Sequence, residues 1–312
     1  MGLNQYQTVT DRIVAMLESG VRPWQKSWKA GGATVTGPIQ RPLSGATGRA
    51  YTGVNVVNLW VAAELRGFQS RYWFTFKAAK DAGGSVRKGA KSELAFFVGK
   101  TTVRDENAPE GDDSTDRTIS FMRAYHVFNA DECEGLPAKF YGAKPTEPAP
   151  VVNGRIESVD SFVASLNASL AHGGDRAFYS PAMDSVRMPH LAQFDRPESY
   201  YATLLHELTH WTSAPARCDR QLGKRFGDNA YAAEELVAEL GAAFLCADLA
   251  VTAEPREDHA SYLASWLKVL REDNRAIFRA AALAERAAAF MHGQQPAADP
   301  AEVIGEPLAL AA

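Results

Sequence analysis

Residues 204–212 read LLHELTHWT. On an α-helix His206 and His210 stand four residues apart and project from one face. Neutral imidazoles at that spacing can both bind one tetrahedral Zn²⁺. Glu207 points beside such a metal rather than at it, which is where a general base for metal-activated water belongs. The motif constrains the fold because a catalytic zinc needs a third protein ligand and one open position, so another element must return to this helix. The sequence offers one. In YAAEELVAELGAAF, Glu235 and Glu239 are again four residues apart, and Glu235 follows His210 by 25 residues, room for a loop and a returning helix. Glu235 then completes a His₂Glu set, and Glu239 is placed to accept the N–H of a ligand histidine and fix its tautomer. Leu236, Val237, Leu240, Ala243 and Phe244 turn that helix into a core, where carboxylates are costly unless paired or metal-bound. Cys218, His172, His190 and His126 are weaker candidates, read as a small buried residue, two surface histidines and a packing residue.

Length and composition set the frame. A chain of 312 residues, 46% hydrophobic, has material for two domains with real cores. No run of eighteen apolar residues is present, and the first twenty residues lack a basic segment followed by an apolar one, so neither a membrane span nor a signal peptide is expected. Three widely spaced cysteines argue against a disulfide framework and for a reducing cytoplasm. The net charge of −4 hides an asymmetry. The first hundred residues carry 14 Lys and Arg against 5 Asp and Glu, and the rest carries 19 against 32. A basic front and an acidic back imply different partners for the two parts.

Helical spacing of Val9, Ile13, Met16 and Leu17 predicts a helix over 4–20. Residues 54–66 read as a helix, and Thr75 as the cap of another over 76–82. SELAFFVGK and RTISFMRAYHVFN read as paired strands around a mobile acidic loop. The proline-rich stretch YGAKPTEPAPVVN marks a boundary, giving domains over 1–145 and 153–292, a linker at 146–152 and a disordered tail at 293–312. Behind the boundary, helices are expected over 157–171, from Asp195 through the HELTH motif, over 230–249 and over 257–291. Two short strands are expected in RAFYSPAMDSVRMP. If the edge of SVRMP is free, an extended peptide can add to it through main-chain hydrogen bonds.

The front half interleaves Tyr51, Trp60, Phe68, Tyr72, Trp73, Phe74 and Phe76 with basic residues. Basic grooves track phosphates and aromatics stack on unpaired bases, a combination suited to single-stranded nucleic acid. Trp60, Phe74 and Phe76 are read as core. Trp24, Lys26, Trp28, Arg49, Tyr51, Arg71, Arg87, Lys88 and Lys91 are the expected DNA contacts.

The blocks PWQKSW, GRAYTGVNVVNLW, RYWFTFKAAKDAGGSVRKGAKS and YHVFNADECEGLP, followed by YSPAMDSVRMP, YYATLLHELTHWT and YAAEELVAELGAAFLC, resemble the ArdC-type antirestriction proteins of conjugative plasmids. They fall in the same order as in that family, whose N-terminal region is shared with TraC-type plasmid primases. The resemblance implies an α+β chain with an N-terminal single-stranded-DNA-binding domain and a C-terminal zincin-like metallopeptidase domain. It implies one zinc per chain on His206, His210 and Glu235, with Glu207 as catalytic acid/base, and protection of incoming DNA from host restriction. A cytoplasmic protein of the conjugation recipient is expected, with single-stranded DNA and a protein substrate as partners. Two rivals remain at this point: a DNA-binding protein whose zinc is structural or vestigial, and a general processing protease, which would give the basic front half no purpose.

Overall fold

The computed structural model describes residues 3–24, 29–30, 33–34, 38–103, 117–142, 147–220, 229–252 and 259–296. Helix α1 (Leu3–Glu18) turns Val9, Ile13, Met16 and Leu17 into the core, as their spacing predicts. A hairpin of β1 (Lys29–Ala30) and β2 (Ala33–Thr34) leads to strand β3 (Leu43–Ser44) and helix α2 (Val54–Arg66). Helix α2 stops at Gly67, whose φ of 66° lets the chain turn left-handed and close the last carbonyls. Strand β4 (Tyr72–Phe74) and helix α3 (Phe76–Asp81) follow, and the Thr75 hydroxyl accepts the Ala78 N–H as the expected cap. Then come β5 (Ser85–Val86), the long strands β6 (Glu93–Val103) and β7 (Arg117–Asn129), and β8 (Cys133–Glu134).

The main sheet has the order β3-β4-β7-β6, with β6 and β7 antiparallel and Glu93 opposite Val127. Two asparagines bind α2 to its edge. Asn55 exchanges two hydrogen bonds with the backbone of Phe96 (2.8 and 2.7 Å), and Asn58 donates to Leu94 O (2.8 Å). Trp60 and Phe74 are core, but Phe76 is 63% exposed, because a residue directly after the cap of α3 faces outward. The acidic loop between β6 and β7 lies outside the described residues.

Behind the boundary, helix α4 (Glu157–Ala164) is shorter than the predicted 157–171. Asn167 turns left-handed (φ 52°), and strand β9 (Ser169–His172) pairs parallel with β11 instead of continuing the helix. Strands β10 (Phe178–Ser180) and β11 (Ser185–Met188) form the expected antiparallel pair. The sheet order is β10-β11-β9, so both edges of SVRMP are already taken, and the peptide-docking edge proposed for that strand is not available.

Helix α5 (Pro197–Trp211) starts with proline at its first turn and carries the HELTH motif. Helix α6 (Asn229–Asp248) returns against it. The single helix expected over 257–291 is two, α7 (His259–Glu272) and α8 (Ala276–Gly293). They are broken at Asp273-Asn274, where the Asp273 side chain caps the Arg275 N–H at 2.8 Å. At the start of the predicted tail, Gln295 still donates to Phe162 O (3.2 Å); residues 297–312 lie outside the described residues.

The two parts share one hydrophobic core. Tyr6 and Phe96 pack edge-on to Phe278, and Trp60 packs on Phe244. Arg41 is buried between α6 and α8, where it grips both oxygens of Asp248 at 2.9 Å and Glu285 at 2.7 Å. Its guanidinium lies 4.6 Å over the Phe244 ring. Helix α6 is therefore packed among α5, α7 and α8, and Arg41 and Trp60 reach it from the front of the chain.

Candidate metal centre

Helix α5 supplies His206 and His210, with ring centroids 4.9 Å apart and planes nearly perpendicular. Helix α6 brings Glu235 between them. Its Oε2 lies 3.5 Å from His206 Nε2 and its Oε1 lies 3.6 Å from His210 Nε2. The three ligand atoms lie within 4.8 Å of one another. A tetrahedral cation with bonds of about 2.0–2.1 Å has donors roughly 3.4 Å apart, so nitrogen and carboxylate donors here are spaced to fit a divalent ion.

The crossing that allows this has a small contact at its centre. A Cβ on Gly241 would sit 2.5 Å from Thr209 Cγ2. Only glycine lets α6 come this close to the turn of α5 that holds His210.

The outward nitrogens of both histidines face carboxylates of α6. His210 Nδ1 is 3.3 Å from Glu234 Oε1, and His206 Nδ1 is 3.8 Å from Glu239 Oε2. Each carboxylate is held in turn. Arg220, buried after the end of α5, donates to Glu234 at 2.9 and 3.2 Å, to Thr212 Oγ1 at 2.7 Å and to Thr209 O at 2.6 Å. Trp24 Nε1 donates to Glu239 Oε1 at 3.1 Å. The Glu234 contact is a hydrogen bond that turns Nε2 of His210 toward Glu235, whereas Glu239 stands at the longer, ion-pair distance from His206 Nδ1.

Electrostatics follow the geometry. Burial works against a charge on His210, but Glu234 and Glu235 overcome it and push the imidazole up to about 10 in the metal-free protein. Burial would raise Glu235, yet both histidines hold it far below the usual carboxylate range. The pocket is built to hold positive charge, which a proton supplies when a cation does not. Glu207 is buried on the same helix and adds to the field on His210.

The other sequence-predicted residues are distributed as follows. Trp24 is fully buried against Glu239 and Trp266, so it presents no face to a base, and its assignment as a DNA contact is corrected. Lys26 and Trp28 lie outside the described residues. Arg49, Arg87, Lys88 and Lys91 are exposed, Arg71 is half-buried with its guanidinium 5.7 Å over Tyr72, and Tyr51 is half-buried beside Tyr125. Cys218 is buried and turns its Sγ toward Arg286 O at 3.8 Å. His172 pairs with the Tyr200 hydroxyl at 2.8 Å, and His126 with Ser92 at 2.8 Å. Sequence reasoning singled out neither Glu234 nor Arg220. The adjacent Glu234-Glu235 pair on an otherwise apolar helix was the available signal.

Comparison with known proteins agrees with this architecture. Residues 3–128 match the N-terminal domain of anti-restriction factor ArdC, and residues 157–283 match the zincin-like metallopeptidase family. The chain is 41% identical to "Uncharacterized protein y4eC" of Sinorhizobium fredii over 303 residues, covering 96% of this chain and 95% of that protein. It is 36% identical over 301 residues to a DNA primase TraC of Escherichia coli, covering 92% of this chain but only 27% of the primase. The metal-free crystal structure of antirestriction ArdC protein from plasmid R388 superimposes with a TM-score of 0.75 at 38% identity, covering 93% of this chain and 97% of that one. Its Mn(II)-bound form gives 0.74 at 37%, covering 94% and 98%. Among the described residues no helix is long and apolar enough to cross a membrane. With an ArdC N-terminal domain followed by a zincin-like domain whose His₂Glu cluster fits a divalent metal, the chain belongs to the ArdC antirestriction family.

Proposed function

We propose that this protein binds single-stranded DNA through its basic front part and carries a zinc peptidase site in its back part, protecting incoming plasmid DNA from restriction in the cytoplasm of a recipient cell. The division falls at 146–152, with 1–145 contacting DNA and 153–292 bearing the metal. The carrying observation is Glu207, a buried carboxylate on the helix of both histidines that is not itself one of the clustered ligands. A purely structural ion has no need of it.

A divalent cation held by His206, His210 and Glu235 would acidify water and polarise a peptide carbonyl. Glu207 would take the proton of the attacking water and deliver it to the leaving amine. Glu234 and Glu239 would hold the imidazoles in the tautomer that leaves Nε2 free. For DNA, support comes from charge that the fold does not consume. Arg12, Arg41 and Arg66 are spent on internal ion pairs, whereas no ion pair claims Arg49, Arg71, Arg87, Lys88 or Lys91 among the described residues. Exposed Phe76 adds an aromatic face suited to stacking.

A second reading is that DNA coating alone protects. The R388 protein crystallises both with Mn(II) and without metal, so in that protein the fold does not depend on the cation. Glu207→Ala separates the two. Protection lost with metal content and DNA binding retained supports the peptidase; protection retained assigns it to DNA coating.

A further inference from the structure

Glu234 of α6 backs His210 at 3.3 Å and Glu239 faces His206 Nδ1 at the longer 3.8 Å, and each glutamate is held by a donor from elsewhere. Behind His210 the donor is Arg220, ten residues further along the same part of the chain. Behind His206 the donor is Trp24, which is 215 residues from Glu239 and belongs to the front part. Trp24 is fully buried and Glu239 is 4% exposed. The indole is wedged edge-on against Trp266 at 6.2 Å, which stacks on Tyr262, which stacks on Tyr231 of α6, each at 6.2 Å. The ring is therefore fixed in the orientation that aims its N–H at Glu239.

We propose that Trp24 is a positioning residue of the metal centre: its indole N–H orients Glu239 toward His206 Nδ1, so the front part of the chain sets the affinity of the centre for its cation. The inference rests on the metal reading of His206, His210 and Glu235.

The chemistry of the two donors supports it. Arg220 carries a positive charge that balances Glu234. Trp24 donates a hydrogen bond that carries no charge and fixes the direction of Glu239. A carboxylate facing the outward N–H of a ligand histidine raises the basicity of that ligand, and losing such a partner typically weakens metal binding ten- to hundredfold. A fully buried indole N–H is costly if left unpaired, so Trp24 is committed to this acceptor.

The test uses the full chain and Zn²⁺. The zinc dissociation constant is measured by competition with a chromogenic chelator for the wild type, Trp24→Phe, Glu239→Gln and the double variant, with melting of each metal-free protein in parallel. A further protein carries benzothienylalanine at position 24, which keeps the ring shape and replaces N–H by sulfur, in case Trp24→Phe does not fold. The expected result is a dissociation constant raised about ten- to hundredfold by Trp24→Phe and by the isostere, with non-additive effects in the double variant. A lower melting temperature with an unchanged dissociation constant would make Trp24 a packing residue and overturn the proposal. A wild type that binds no zinc would remove the metal reading itself, and this inference with it.

Discussion

Gly241→Ala tests whether the close crossing of α5 and α6 sets the metal centre. The added Cβ would lie 2.5 Å from Thr209 Cγ2 and 2.7 Å from Thr209 Oγ1. Carbon–carbon contacts settle near 3.5–4.0 Å, so the shortfall is about 1 Å. Thr209 has little freedom to yield. It is fully buried, β-branched, and its hydroxyl donates to Leu205 O at 2.8 Å. The helices must part instead. Alanine gains about 1 kcal/mol of helix propensity over glycine, while overpacking costs about 1–3 kcal/mol, so the net change in stability is small, about 0–2 kcal/mol unfavourable. Metal affinity is affected more, because ligand distances tolerate only about 0.2 Å. Glu235 is about 1.7 turns from Gly241, and its separations of 3.5 and 3.6 Å from the two imidazoles cannot survive a shift of that size. The expected outcome is a zinc dissociation constant raised about tenfold or more, comparable to losing an orienting partner. Chelator competition measures it, alongside urea denaturation of the metal-free protein. The double variant with Thr209→Ala should recover most of the affinity. A variant that is more stable by the helix-propensity gain and binds zinc unchanged would refute the argument.

Other consequences can be checked with the same assays. His210 is raised above its unfolded value of about 6.5, so its stabilising contribution is complete below that pH and is lost as pH climbs toward about 10. Urea denaturation should therefore show the metal-free protein weakening between pH 7 and 9. Over the same range zinc, which displaces that proton, should bind about tenfold more tightly per pH unit; a flat profile would mean His210 is neutral. Arg220→Met strips Glu234 of a buried ion pair and should cost about 3–5 kcal/mol in urea denaturation. A loss below about 1 kcal/mol would show that Glu234 does not depend on it. Replacing Arg87, Lys88 and Lys91 together with alanine should lower the salt slope of single-stranded-DNA binding by about 2, at roughly 0.7 per phosphate contact. An unchanged slope excludes them from the interface.

Periodicity made much of this protein legible, and tertiary demand hid the rest. His206, His210 and Glu235 could be read because helical geometry fixes the first pair and burial makes the third costly without a cation. Helix α2 and the Thr75 cap were likewise local. The break between α7 and α8 rests on Asp273 and Asn274, residues that helices tolerate, and it is enforced by the front part of the chain: Asn274 O accepts the Thr10 hydroxyl at 2.8 Å. Strand β9 looked helical because its preference for β11 is a property of β11. Trp24 looked like a stacking platform because a tryptophan among glycines, prolines and lysines suits that role. Its destination is an acceptor 215 residues away. Helix α6 joins these cases. It is buried on nearly every side, so hydrophobic patterning gives it no facing direction, yet it carries three buried glutamates. Each must find partners, and the partners differ: Arg220 and His210 for Glu234, both histidines for Glu235, Trp24 and His206 for Glu239. The orientation of α6 is thus specified by its carboxylates rather than by its apolar residues. The same interactions that orient the helix also bring Glu235 against His206 and His210.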